Sequence, residues 1–174
     1  MALLSLIITS LAVTSVSAHG PTRQKLKKSI EVNASPDKVW AVIKNFHDLS
    51  WHPAIEKVTG NGGNAKDATR VIHLKGGGTL DEICYNYSDA DKTYSYRITK
   101  VDVKVLPVTN YSSTITVKTG ENGKSIVEWK GAFYRGYPNN DPPPELNEAA
   151  AKKAVGGVYD GGLEALKKRF ESGS

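Results

Sequence analysis

A single cysteine, Cys84, stands in the whole chain. No intramolecular disulfide can therefore staple the fold, and no cysteine-rich metal knot can form. Charge is absent from the first eighteen residues, MALLSLIITSLAVTSVSA. Beyond them no second long apolar run occurs, so no later membrane span is expected. No Gly-x-Ser-x-Gly elbow and no Cys-His signature surrounds Ser50 or Cys84, which removes the familiar nucleophile motifs. No internal repeat is visible. Dense basic tracts are also missing. Arg23 to Lys28 and Lys167 to Arg169 are the only clusters, and both read as solvated chain ends.

What is present fits one ordinary domain of 174 residues. The uncharged start ends in Val16-Ser17-Ala18, a small-x-small cleavage pattern. It reads as a secretory signal peptide over residues 1–18, cut before His19, with a polar leader over 19–28 and a single domain over 29–171. That placement is periplasmic or secreted, without a transmembrane anchor after cleavage. The removed segment carries no charge, so the mature chain keeps the full net charge of +5. An exported basic protein with scattered lysines meets an acidic protein or a membrane surface more readily than nucleic acid.

The pattern predicts a strand at Ser29 to Ala34. A short helix follows, with Ser35 as N-cap and Pro36 at its first position. Two hairpins come next, TRVIHLKGGGTLDEICYNY and VTNYSSTITVKTGENGKSIVEWKGAFYRG, with the strand TYSYRITKVDV between them. A long helix closes the chain from Glu145 to Phe170. Strands grouped ahead of one long helix argue an α+β fold. That helix carries Val155, Tyr159, Leu163, Leu166 and Phe170 as an apolar stripe, interrupted by Gly156, Gly157, Gly161 and Gly162. Each mid-helix glycine costs about 0.8–1 kcal/mol relative to alanine. Either close packing or a kink explains them, or the sheet needs room beneath the helix, which leaves a cavity.

The stretch NFHDLSWHPAIEKV, residues 45–58, holds two histidines, acidic residues and a tryptophan. His47 and His52 are five apart, not the i, i+4 pair that sets two ligands on one helical face. Pro53 rules out a regular helix through His52. Asp48 and Cys84 complete no recognised ligand spacing, so neither a metal nor a cofactor is expected. General acid or base chemistry by His52 stays open.

Strand parity singles out one further pair. If Gly76 to Gly78 form a three-residue turn, Arg70 lies opposite Cys84 and Ile72 opposite Glu82. Arg70, Ile72, Leu74, Leu80, Glu82 and Cys84 then share the inner face, with Arg70 and Glu82 as diagonal neighbours. They form either a structural ion pair or a polar anchor for a ligand. Tyr94, Tyr96 and Ile98 share a face, as do Trp129, Gly131 and Phe133.

The order of SPDKVW, WHP, GGGTLDE, YSYRI, LPVTNYSSTI and VEWKGAF resembles the START/Bet v 1-like superfamily. Within it the chain looks like the polyketide cyclase/dehydrase-type branch, and is similar to the MxaD-like proteins of methanol-oxidation clusters. The resemblance implies a helix-grip fold: a curved antiparallel sheet around a long C-terminal helix, enclosing a cavity. It places the Trp51-His52-Pro53 loop at the cavity mouth. Trp51, His52, Arg70, Glu82, Tyr96, Trp129 and Tyr159 are the cavity candidates. It further implies a non-catalytic accessory role between methanol dehydrogenase and an acidic cytochrome c. Carriage of a small apolar ligand and a cyclase- or dehydratase-like activity are the alternatives.

Overall fold

The computed structural model describes residues 20–171. The stretch read as a signal peptide, with its expected cleavage site, lies outside the described residues. Seven strands form one antiparallel sheet, in the order β1-β7-β6-β5-β4-β3-β2. They are β1 (Gln24–Val32), β2 (Ile55–Asn61), β3 (Thr69–Leu74), β4 (Thr79–Ser88), β5 (Thr93–Val101), β6 (Val108–Thr119) and β7 (Ser125–Arg135). Helix α1 (Pro36–Ile43) follows β1, and α2 (Glu148–Glu171) ends the fold. No described helix is long and apolar enough to cross a membrane.

The strand expected from Ser29 begins at Gln24, inside the stretch read as a polar leader. Its charges did not prevent pairing because they alternate. Lys25 and Lys27 point outward while Leu26 and Ile30 pack inward, and Gln24 to Val32 pair with Phe133 to Ser125. The second element departs at the other end. Pro144–Leu146 forms a separate tight turn, so α2 starts at Glu148 rather than Glu145. Asn147 sets that start: its Oδ1 accepts the Ala150 N–H at 2.9 Å, as an N-cap should.

Period-2 alternation puts one face of every strand inward. Val127, Trp129 and Phe133 of β7, Tyr111 and Ile115 of β6, and Tyr94 and Tyr96 of β5 are buried there. Register shifts at Cys84/Asn86 and Thr109/Ser112 are bulges that bend the sheet. The bent sheet receives α2 through Ala151, Val155, Tyr159, Leu163 and Leu166, chiefly against β1 and β7. Helix α1 closes the other end with Val39, Trp40 and Ile43, and the Trp40 indole donates to Asp89 at 2.7 Å.

The glycines of α2 are not equivalent. A methyl group at Gly157 or Gly161 would meet open space, and one at Gly156 only an ordinary contact with Leu26. At Gly162 it would lie 2.7 Å from the His52 ring, 2.8 Å from Trp129 and 3.1 Å from Trp51. Of the two explanations for the glycine-rich stripe, close packing therefore holds at this position. Three aromatic rings, rather than a void, occupy the space under Gly162.

Candidate functional cavity

The site grows from the β3–β4 hairpin. Arg70 faces Glu82, Ile72 faces Leu80 and His73 faces Thr79. The turn keeps the expected three residues but sits one position earlier, at Lys75 to Gly77 rather than Gly76 to Gly78. Leu74 and Gly78 close it, their backbones bonded at 3.2 Å, with Gly77 and Gly78 at φ of 88° and 87°. The pairing thus slips by two residues from the expected register. A slip of two preserves the face, where a slip of one would invert it. Arg70 and Glu82 become direct rather than diagonal partners, still pointing inward.

Both are almost wholly removed from solvent, at 2% and 4% exposure. Arg70 donates from Nε to Glu82 Oε2 at 2.7 Å, and its Nη2 forms an ion pair with the same oxygen at 2.6 Å. Its Nη1 donates to the Phe46 carbonyl at 2.7 Å. The guanidinium lies 4.1 Å from the centre of the Phe46 ring and 4.9 Å from that of Tyr96. Burial opposes the charged guanidinium, but the adjacent Glu82 carboxylate outweighs it and holds the Arg70 pKa above its ordinary value. Burial pushes Glu82 upward against the pull of Arg70. Two short contacts on one carboxylate oxygen are the geometry of a charge-assisted pair, which favours the ionised form of both partners.

A cavity of about 450 Å³ opens beside this pair. Its walls are mostly aliphatic: Ile72, Leu74, Leu80, Ile98, Leu106 and Val155. His52, Arg70, Glu82, Tyr96 and Trp129 also line it, so five of the seven sequence candidates converge there. Trp51 and Tyr159 do not line it. Trp51 is buried behind the wall, its ring 5.8 Å from that of Trp129, and its indole N–H lacks a partner among the described residues. Tyr159 stacks on Trp129 at 4.7 Å and points away into a chain of hydroxyls.

In the loop expected at the cavity mouth, Trp51 and His52 are buried, at 6% and 4% exposure, while Pro53 is exposed. The loop turns inward because His52 bridges it to α2. His52 Nε2 lies 2.9 Å from the Val158 carbonyl, which can only accept, so that nitrogen carries the proton. Nδ1 accepts the Ala54 N–H at 3.2 Å. Both ring nitrogens are occupied, which makes His52 a strut rather than a free base. Burial lowers its pKa, opposed by the bond to the Val158 carbonyl and by its own backbone.

The sign of the resulting pH effect follows from this depression. The folded state binds the His52 proton less readily than the unfolded chain does. Stability is intact above the ordinary value of 6.5 and falls as pH drops below it, until the folded-state pKa is passed. The melting temperature of His52→Gln should accordingly fall less than that of the parent between pH 7.5 and 5.5. Parallel curves would show that His52 titrates normally.

Sequence reasoning missed Phe46 and Tyr111. Phe46 supplies both a carbonyl and a ring to Arg70. Tyr111 lines the cavity and bonds to the Tyr159 hydroxyl at 2.9 Å. The signal for Tyr111 was available in its alternation with Ser113 and Ile115. Phe46 lies in a turn and left no periodic trace.

A bent antiparallel sheet closed by a C-terminal helix over an apolar cavity is the helix-grip fold. Residues 23–171 match the family described as polyketide cyclase / dehydrase and lipid transport, and the chain belongs to that family. Among solved structures it is similar to the protein XoxI from Bacillus cereus. The identity is 32% and the TM-score 0.72, covering 84% of this chain and 95% of that one. Norcoclaurine synthase from Thalictrum flavum shares the fold at 17% identity and TM-score 0.64, covering 95% of this chain and 97% of that one. A START superfamily protein from Mycobacterium smegmatis does so at 14% and 0.66, covering 86% and 99%. No curated protein matches the chain.

Proposed function

We propose that this protein binds a small, largely apolar molecule in the cavity between sheet and α2. The supporting observation is a cavity of about 450 Å³, walled by aliphatic side chains around a few fixed polar groups. That combination is the usual form of a small-molecule site. The aromatic side of the wall is locked by packing and hydrogen bonds, Trp129 Nε1 to Tyr96 Oη at 3.0 Å among them. Native mass spectrometry of protein purified without detergent should show a co-purified mass, lost on mild denaturation. Replacing Ile98 by Trp should fill the space and remove that mass while the fold persists. Retention of the same mass by the filled variant would place the ligand elsewhere.

A second reading is favoured by the net charge of +5 and the resemblance to MxaD-like proteins. In it, an exported form beginning at His19 assists docking between methanol dehydrogenase and an acidic cytochrome c. Opposite charges speed encounter, and salt screens the gain. Adding the protein would then accelerate dye-linked methanol oxidation through the cytochrome, most at low ionic strength. Equal rates with and without it, at every salt concentration, would dismiss this role.

A further inference from the structure

The hydrogen-bond inventory of the cavity wall is incomplete in a specific way. Glu82 receives both Arg70 bonds on Oε2, so Oε1 has no protein donor among the described residues. Tyr96 accepts the Trp129 indole N–H, and its own O–H has no protein acceptor among the described residues. Both side chains line the same cavity and both are buried, at 4% and 3% exposure. Burial keeps the Tyr96 phenol far from ionisation, so its proton stays in place.

Tyr111 completes the set, because the direction of its bond can be deduced. Ser113 donates its hydroxyl proton to the Lys130 carbonyl at 2.8 Å. Tyr159 must therefore donate to Ser113, at 2.8 Å, and Tyr111 must donate to Tyr159, at 2.9 Å. The Tyr111 oxygen is left with only acceptor capacity. The cavity thus offers a guest one free donor, Tyr96, and acceptors at Glu82 and Tyr111. Its charge is already balanced, since Arg70 and Glu82 neutralise one another.

We infer that the ligand carries an uncharged group that both donates and accepts hydrogen bonds, most simply an alcohol or phenol hydroxyl, which donates to Glu82 Oε1 and accepts from Tyr96. This assignment rests on the ligand-binding reading and narrows its substrate class. A carboxylate could accept from Tyr96 and from unused Arg70 N–H groups. It would also set a second negative charge beside Glu82 in a buried, balanced site. An ammonium group would meet Glu82 but add a positive charge next to Arg70, and would leave the Tyr96 proton unmatched. A plain hydrocarbon would leave Glu82 Oε1 and the Tyr96 hydroxyl proton without partners.

A matched series tests this: 4-hexylphenol, 4-hexylbenzoate and 4-hexylbenzylamine, titrated at neutral pH by calorimetry and by the fluorescence of the tryptophans. The phenol should bind at least about tenfold more tightly than either charged probe, the factor that one charge-assisted hydrogen bond supplies. Tyr96→Phe should erase most of that preference. Glu82→Gln, with circular dichroism confirming its fold, should reverse the preference toward the benzoate, because Arg70 then lacks a counter-ion. Equal or tighter binding of the benzoate by the parent protein would overturn the inference while leaving ligand binding intact. Binding of none of the three overturns both. A preference for the phenol unchanged in Tyr96→Phe would overturn the assignment of the headgroup contact.

Discussion

Replacing Glu82 with alanine should lower the unfolding free energy by about 3–5 kcal/mol, the usual penalty for stranding a buried charge. Arg70 is 2% exposed and pinned on three sides, by Glu82, by the Phe46 carbonyl and by two aromatic rings. It cannot swing to solvent without opening the loop that carries Phe46. The cavity supplies room for water, but a neutral solvent molecule cannot replace a carboxylate making two bonds to one guanidinium. Urea titration reads the loss directly. A loss below about 1 kcal/mol would mean that the guanidinium is solvated through the cavity. The double change Arg70→Met with Glu82→Leu separates the cost of a lone charge from the net worth of the pair. Because apolar replacement of a buried pair is often neutral or stabilising, it should recover most of the loss. Such recovery would show that the fold does not depend on the pair.

The second large effect concerns α2. Gly162→Ala should destabilise the protein by about 1–3 kcal/mol, the range found for overpacking a dense core. This runs against helix propensity, which alone would gain about 0.8–1 kcal/mol. The added methyl would press on the rings of His52, Trp129 and Trp51, all buried and already in mutual contact. None is the loose end of a flexible chain. Gly157→Ala and Gly161→Ala are internal controls, since their methyl groups would meet nothing within 4 Å. Each should stabilise by roughly the propensity difference. Thermal melts of the three variants would therefore split in sign. Stabilisation at all three positions would show that the aromatic cluster gives way, and that Gly162 has no packing role.

Much of this architecture is written in local patterns. Alternation in β3, β4 and β5 put Arg70, Glu82 and Tyr96 on the correct face even though the hairpin register was two residues off. Face depends only on parity, whereas register depends on where the turn is placed, and a run of glycines that tolerates positive φ, as Gly77 and Gly78 do, allows more than one placement. The start of β1 was hidden because Lys25, Lys27 and Lys28 look like a solvated tail until their alternation is set against a partner strand. Burial of Trp51 and His52 was not legible at all. It arises from a contact with the Val158 carbonyl 106 residues away, and no short-range pattern encodes such a contact. Tyr159 was assigned to the cavity from its place on the helix stripe. Only the missing side chain of Gly131, whose added methyl would overlap the Tyr159 hydroxyl, lets that ring reach across β7 to Ser113 instead.

The position of β1 at one edge of the sheet has a bearing on how the chain reaches its fold. β1 is the first strand of the described residues, yet its only strand neighbour among them is β7, with Gln24 set against Phe133 and Val32 against Ser125. A ribosome delivers the two halves of that pairing nearly one domain apart in time. The meander from β2 to β6 can zip sequentially, hairpin by hairpin, while β1 waits for its partner. Its completion is a non-local closure, the kind of event that makes β-rich domains slow to fold. Helix α2, which packs mainly on β1 and β7, has its own docking surface only once that closure has occurred. The final chamber is consequently the last thing built, and a nascent chain stopped short of Arg135 would hold neither a complete sheet nor a place for a guest.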